Sequence, residues 1–228
     1  MISESLIASK RALEHLPLTL AAIAVYALFG LAIGPEFLDD PDAQIALAIP
    51  AAFGSFVVLY QMSRRAGAPR EGEVGSVGRW FGWGIVSALP MVVLLAIYVS
   101  VVGFDYWVEA ATPLWMETAT FIVATIIVLP ITALATGRAI DRDGLTPSAV
   151  FAFCTKAAWP IIIGGLAFLV LPNFLSDGLL TGFGAEEFTQ LQAILFGLTG
   201  GTAMFAGQML LIGLSATIYR AAEQAAAT

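Results

Sequence analysis

Residues 43–65 read AQIALAIPAAFGSFVVLYQMSRR, and the fold turns on this stretch. Asp39, Asp40 and Asp42 stand before it, Arg64 and Arg65 close it, and no charged residue lies between. A helix crossing a hydrocarbon core of about 30 Å needs about 20 apolar residues, so the run is long enough to span a membrane. Its two ends differ in sign. Lys and Arg collect on the cytoplasmic side of membrane proteins, so the arginine end is predicted to face the cytoplasm and the aspartate end the exterior.

The same pattern extends along all 228 residues. Uncharged apolar stretches cover 16–34, 43–62, 80–104, 118–137, 157–175 and 191–219. The segments between them alternate. Lys10 and Arg11, then Arg64, Arg65, Arg70 and Arg79, then Arg138, Arg142 and Lys156, then Arg220 fall on one side and account for every basic residue of the chain. Glu36, Asp39, Asp40, Asp42, Asp105, Glu109, Glu117, Asp177, Glu186 and Glu187 fall on the other. The expected fold is an all-α integral membrane protein, one transmembrane domain over 1–228 with six spans and both termini cytoplasmic. At 59% hydrophobic and 12% charged the composition agrees, since a soluble domain is about a quarter charged.

The six spans group as three hairpins. Each opens on a serine-led segment that ends in proline: SESLIASKRALEHLP to Pro17, SVGRWFGWGIVSALP to Pro90 and SAVFAFCTKAAWP to Pro160. An acidic exterior loop follows, then a return helix closing near Arg64, Arg138 or Arg220. The lead-ins read as short amphipathic helices lying along the cytoplasmic interface. In the first, Ile2, Leu6, Leu13 and Leu16 follow a helical spacing while Lys10, Arg11 and Glu14 take other faces. In the third, Thr146 is placed to cap the helix and Pro147 to occupy its first turn, after an Asp143-Gly144 turn. Trp80, Trp83 and Trp159 near the cytoplasmic boundary, with Trp107 and Trp115 in the second exterior loop, match the headgroup preference of indole rings. Near the N-terminus, the apolar run after Arg11 is about 19 residues, longer than the 7–15 of a signal peptide. It reads as a retained first helix.

Charge and motif content exclude several functions. The net charge of −7 is local to the exterior loops. No basic stripe suits nucleic acid, whereas the modestly positive interior face suits anionic lipid headgroups. One cysteine, Cys154, and one histidine, His15, give neither a disulfide nor a His-pair metal site. No third group completes a Cys–His couple, and no elbow motif marks a serine nucleophile. The carboxylates of 36–42 lack the ordered spacing and glycine of a calcium loop. Asp141-Arg-Asp143-Gly144 is similar to the opening of the aspartate-rich motif of the CDP-alcohol phosphatidyltransferases, but 147–156 lacks the further aspartates, leaving a polar turn. No catalytic, cofactor-binding or metal-ligating residue is expected.

Four positions are candidates for the bundle interior or for contact with a ligand. Pro50 and Pro130 fall within the second and fourth spans, where a proline frees a carbonyl one turn earlier. Gln208 is the strongly polar side chain deep in the sixth span, expected to bond a neighbouring helix or to face a solute. Gly201, four residues after Gly197, lets helix backbones approach closely.

The three serine-led hairpins and the closing Leu214-Ser-Ala-Thr-Ile-Tyr219-Arg220 resemble uncharacterised bacterial six-span membrane proteins. They are loosely similar to the membrane domain attached to some bacterial glycerophosphodiester phosphodiesterases, without that family's catalytic domain. The resemblance implies a non-catalytic accessory or scaffold module associating with lipid, another membrane protein or a second copy of itself. A small-solute permease or channel is the alternative, weakened by the lack of charged groups within the spans. Eight arginines against two lysines, with abundant alanine and glycine, suit a bacterium of high GC content and hence its inner membrane.

Overall fold

The computed structural model describes residues 1–33, 41–69, 75–102, 114–140, 144–167 and 190–227. Outside the described residues lie most of the acidic exterior loops, Trp107, Arg70 and the 141–143 turn. The described residues contain helix and no strand. In chain order they are α1 (Ile2–Leu13), α2 (Leu16–Ile33), α3 (Pro41–Gly67), α4 (Val77–Val102), α5 (Leu114–Val123), a π-helical turn (Ala124–Val128), α6 (Leu129–Ala139), α7 (Pro147–Lys156), α8 (Ala158–Gly165) and α9 (Gln190–Ala226). Among the described residues, four stretches are long and apolar enough to cross a membrane: Ala46–Gly67, Val77–Val101, Thr118–Ala139 and Gly197–Ala226. The number rises to as many as six if each of two bent helix pairs counts as a span.

Both bends occur where a serine-led segment meets its proline. Between α1 and α2 the chain turns by 95°, and between α7 and α8 by 89°. Proline lacks an N–H and its ring crowds the carbonyl four residues back, so its least costly place in a helix is the first turn. Pro17 is the second residue of α2 and Pro160 the third of α8. At the first bend the freed groups are satisfied locally. His15 Nδ1 accepts from Leu18 N at 3.3 Å, and Thr19 Oγ1 donates to Leu13 O at 2.9 Å. At the start of α7, Thr146 Oγ1 accepts from Ala149 N at 3.3 Å with Pro147 in the first turn, as its sequence indicates.

The middle copy departs from the expected repeat. Ser76 Oγ accepts from Arg79 N at 3.3 Å and starts α4, which then runs unbroken through Pro90 to Val102. Before Pro90 stand Val86, Ser87, Ala88 and Leu89, and Ser87 Oγ bonds back to Gly84 O at 2.7 Å. No side chain there caps a new helix as His15 does, but α8 also restarts without a side-chain cap, so the cap alone does not separate Pro90 from Pro160.

α1 buries a small face: Ser5, Ala8, Ser9 and Ala12 pack inward, while Ile2, Leu6 and Ile7 stay exposed. Large apolar groups left in the open on one face and small groups against protein on the other suit a helix resting in the membrane interface. Glu4 in its first turn, paired with the Met1 ammonium at 3.2 Å, and Lys10 and Arg11 in its last turn complement the helix dipole.

α9 is the shared wall of two apolar clusters. Phe205, Met209, Ile212 and Ala216 meet Ala8 and Ala12 of α1, Ala22 and Tyr26 of α2, and Val58, Met62 and Ala66 of α3. Leu214, Ile218, Tyr219 and Ala222 meet α6 at Leu129, Ala133 and Leu134, α7 at Val150 and α8 at Ile161. Ile212 and Leu214 differ by about 200° around the helix, so the two clusters occupy opposite faces. α4 is the contrast: its apolar window is 12% buried against 56% for that of α9, and Phe81, Ile85, Leu89, Val92, Val93 and Val101 are exposed. An apolar surface of that extent is stable against lipid or a partner, not against water.

Candidate functional site: the basic end of the bundle

The four sequence candidates do not converge. Pro50 is exposed on α3, which continues through it, whereas Pro130 is less than 2% exposed at the second position of α6. Pro130 explains the π turn before it. With no N–H to give Ile126 O, and a ring that would collide with it, the helix shifts register, and Leu129 N bonds Ala124 O five residues back. Gly201 is buried against α2: a Cβ there would strike the Tyr26 carbonyl, and one on Gly30 would strike Gly197 O. This close approach of α2 and α9 is the contact the Gly197/Gly201 spacing permits.

The Gln208 side chain is half-buried on α9, and its carboxamide makes no hydrogen bond to a described residue. The tie between helices at this level of α9 comes from the next residue and from α1: Ser9 Oγ lies 2.9 Å from Met209 O and 3.0 Å from Ser5 O. Backbone approach makes that bond possible, since a Cβ on Gly213 would strike Ser9 Oγ. A short hydroxyl at a glycine contact reaches a backbone carbonyl of the facing helix.

His15 and Cys154 have separate local roles. His15 caps α2. Cys154 packs at the edge of the second cluster. Burial pushes its thiol up to about 11, so it is protonated at neutral pH and a poor nucleophile.

What the fold does assemble is a set of cations at one end. Arg220 Nη2 donates to Ala66 O at 2.7 Å, Ser76 N donates to Arg138 O at 3.2 Å, and Gly67 abuts the Ile140 side chain. The ends of α3, α6 and α9 and the start of α4 therefore meet. Two concavities open among them. A small one of about 130 Å³ is lined by Glu4, Thr217, Arg220, Ala221 and Gln224. A larger open cleft of about 460 Å³ is lined by Arg11 and Glu14 of the α1 end and by Gln61, Arg64, Arg65, Ala68 and Pro69 of the α3 end. Ala68 shapes its floor: it has φ 50, the left-handed conformation that ends α3, and its N–H bonds Arg65 O at 3.1 Å. Sequence reading found the positive face but not this cleft. The signal was the sign of the segments, and which cations share a wall depends on how α1 packs on α3.

By fold this is an all-α membrane protein with a cationic cleft at one end. Comparison with known protein families, with curated proteins and with solved structures finds no match.

Proposed function

We propose that this chain is a non-catalytic membrane module of accessory or scaffold type, associating with lipid or with another membrane protein, a second copy of itself included. The observation that supports it most is α4, a 26-residue helix whose apolar window is 12% buried. Such a helix offers nearly its whole length to lipid or to a partner helix. In this reading the basic end faces the cytoplasm of a bacterium, both termini lie there, and the membrane is the inner one; the sorting of every Lys and Arg supports that orientation. The likeness to the membrane domain attached to some glycerophosphodiester phosphodiesterases belongs to the same reading.

One observation favours a second reading, a small-solute permease or channel. The Gln208 carboxamide, half-buried in α9, has no described partner, and an amide in apolar surroundings needs one. The experiment is recovery of the full chain from native membranes in mild detergent. A stoichiometric protein or retained lipid supports the accessory module. A bound solute, together with uptake that Gln208→Leu abolishes in an abundant, monodisperse protein, makes the permease the better account.

A further inference from the structure

We propose that the cleft between the last turn of α1 and the last turns of α3 is a binding site for a phosphate group, of the kind an anionic phospholipid presents. The inference deepens the accessory reading above, on whose lipid association it rests, by naming one headgroup chemistry and one place for it.

The charge on the walls is the first ground. Among the described residues, Arg11, Arg64 and Arg65 line the cleft with one carboxylate, Glu14. Neither Arg11 nor Arg65 forms an ion pair with Glu14 or with another described carboxylate. Several guanidiniums in one concavity repel one another unless an anion sits between them. A phosphate suits that position because its oxygens diverge and can take forked N–H donors from more than one direction.

The second ground is a specific unmet bond. Arg11 Nη1 is buried and has no hydrogen-bond partner. A buried donor on a charged group without an acceptor is costly. Arg11 also lines the cleft, so an anion there compensates the charge of a guanidinium that the protein leaves partly unpartnered, and Gln61 adds an amide to the same wall.

The third ground is rigidity and position. Ala8 and Ala12 of α1 pack with Met62 and Ala66 of α3 in one buried cluster, so the two walls are fixed relative to each other before any ligand arrives. Exposed Leu16 and Leu20 at the start of α2 lie next in the chain to the α1 wall. A headgroup in the cleft would leave its acyl chains beside such lipid-facing side chains. At about 460 Å³ the space takes a headgroup with room to spare, and basic pockets between membrane helices are suited to such heads.

The test uses the full-length protein in mild detergent, reading the thermal unfolding midpoint as lipid or salt is added. Phosphatidylglycerol should raise the midpoint saturably and phosphatidylcholine should not. If inorganic phosphate alone reproduces the whole shift, the phosphate site stands and its ligand is a soluble phosphate; if only the lipid does, the ligand is a lipid headgroup. Arg11→Gln should weaken the apparent phosphatidylglycerol affinity by about tenfold, the loss of roughly one charge-assisted hydrogen bond. Arg65→Gln should act in the same direction and serves if the first variant folds poorly. Lys10→Gln, an equal charge change at the exposed neighbouring position, should bind as the unaltered chain does. An equal response to both lipids, undiminished binding by Arg11→Gln and Arg65→Gln, or an equal loss in Lys10→Gln would each overturn the site. If the site fails while a protein partner still copurifies, the accessory reading survives without it.

Discussion

Arg220 Nη2 lies 2.7 Å from the carbonyl oxygen of Ala66, tying the last turns of α9 to the end of α3. The last carbonyls of a helix have no partner within it, and a cation there meets both the free acceptor and the negative end of the dipole. Arg220→Ala removes that donor and should lower stability by about 1–3 kcal/mol. Arg220→Lys should recover part of it, through the charge without the fork. Thermal unfolding in one detergent distinguishes the three proteins, and an unchanged midpoint for Arg220→Ala would show the contact to be idle.

Gly201 and Gly200 make a matched pair. A Cβ at Gly201 would strike Tyr26 O, while one at Gly200 would meet nothing within 4 Å. Gly201→Ala should force α2 and α9 apart at a cost of about 1–3 kcal/mol. Gly200→Ala should be neutral or gain up to about 1 kcal/mol of helix propensity. Size-exclusion profiles and unfolding midpoints of the two variants check the contrast, and equal behaviour would contradict the close approach.

Ala68 holds a backbone conformation that costs an L-residue about 1–2 kcal/mol. Ala68→Gly should relieve most of that and raise stability by about 1 kcal/mol. It should leave the charge of the cleft unchanged, so phosphatidylglycerol binding is the control measurement beside the unfolding midpoint.

Burial raises the Cys154 thiol from its ordinary value of about 9 to about 11. The folded state holds this proton more tightly than the unfolded chain. Its contribution to stability is therefore complete below about pH 9 and lost as pH rises toward 11. Alkylation by iodoacetamide in the folded protein should be slow at pH 8 and rise with a midpoint near 11. A midpoint near 9 would mean that the thiol is in water.

Different features of the fold were legible for different physical reasons. The helix start at Thr146 and Pro147 follows from local chemistry and sits where the sequence puts it, and the apolar runs 43–62 and 191–219 lie within the helices α3 and α9. Pro130 was legible as a disturbance, but the register shift it produces depends on helix continuing on both sides. The unbroken α4 was not legible, because Pro90 carries the same motif as Pro17 and Pro160, and the restart at Pro160 has no side-chain cap to set it apart. The cleft was least accessible of all. Arg11 and Arg64 share a wall through packing of Ala8, Ala12, Met62 and Ala66, and nothing local to either arginine records it. For Gln208 the polarity of a side chain within a span was legible, while the helix tie beside it, from Ser9 to the Met209 carbonyl, depends on the close packing of α1 on α9.

Both apolar clusters draw on α9, the last of the described helices in chain order. A ribosome delivers the chain from its N-terminus, and early segments settle first. α2 and α3 can pair as they emerge, as can α4 and α6, yet each pair leaves one flank open until α9 arrives and closes both together. Assembly thereby waits on this one helix, and until it is delivered the helices before it are two unfinished halves sharing a bilayer.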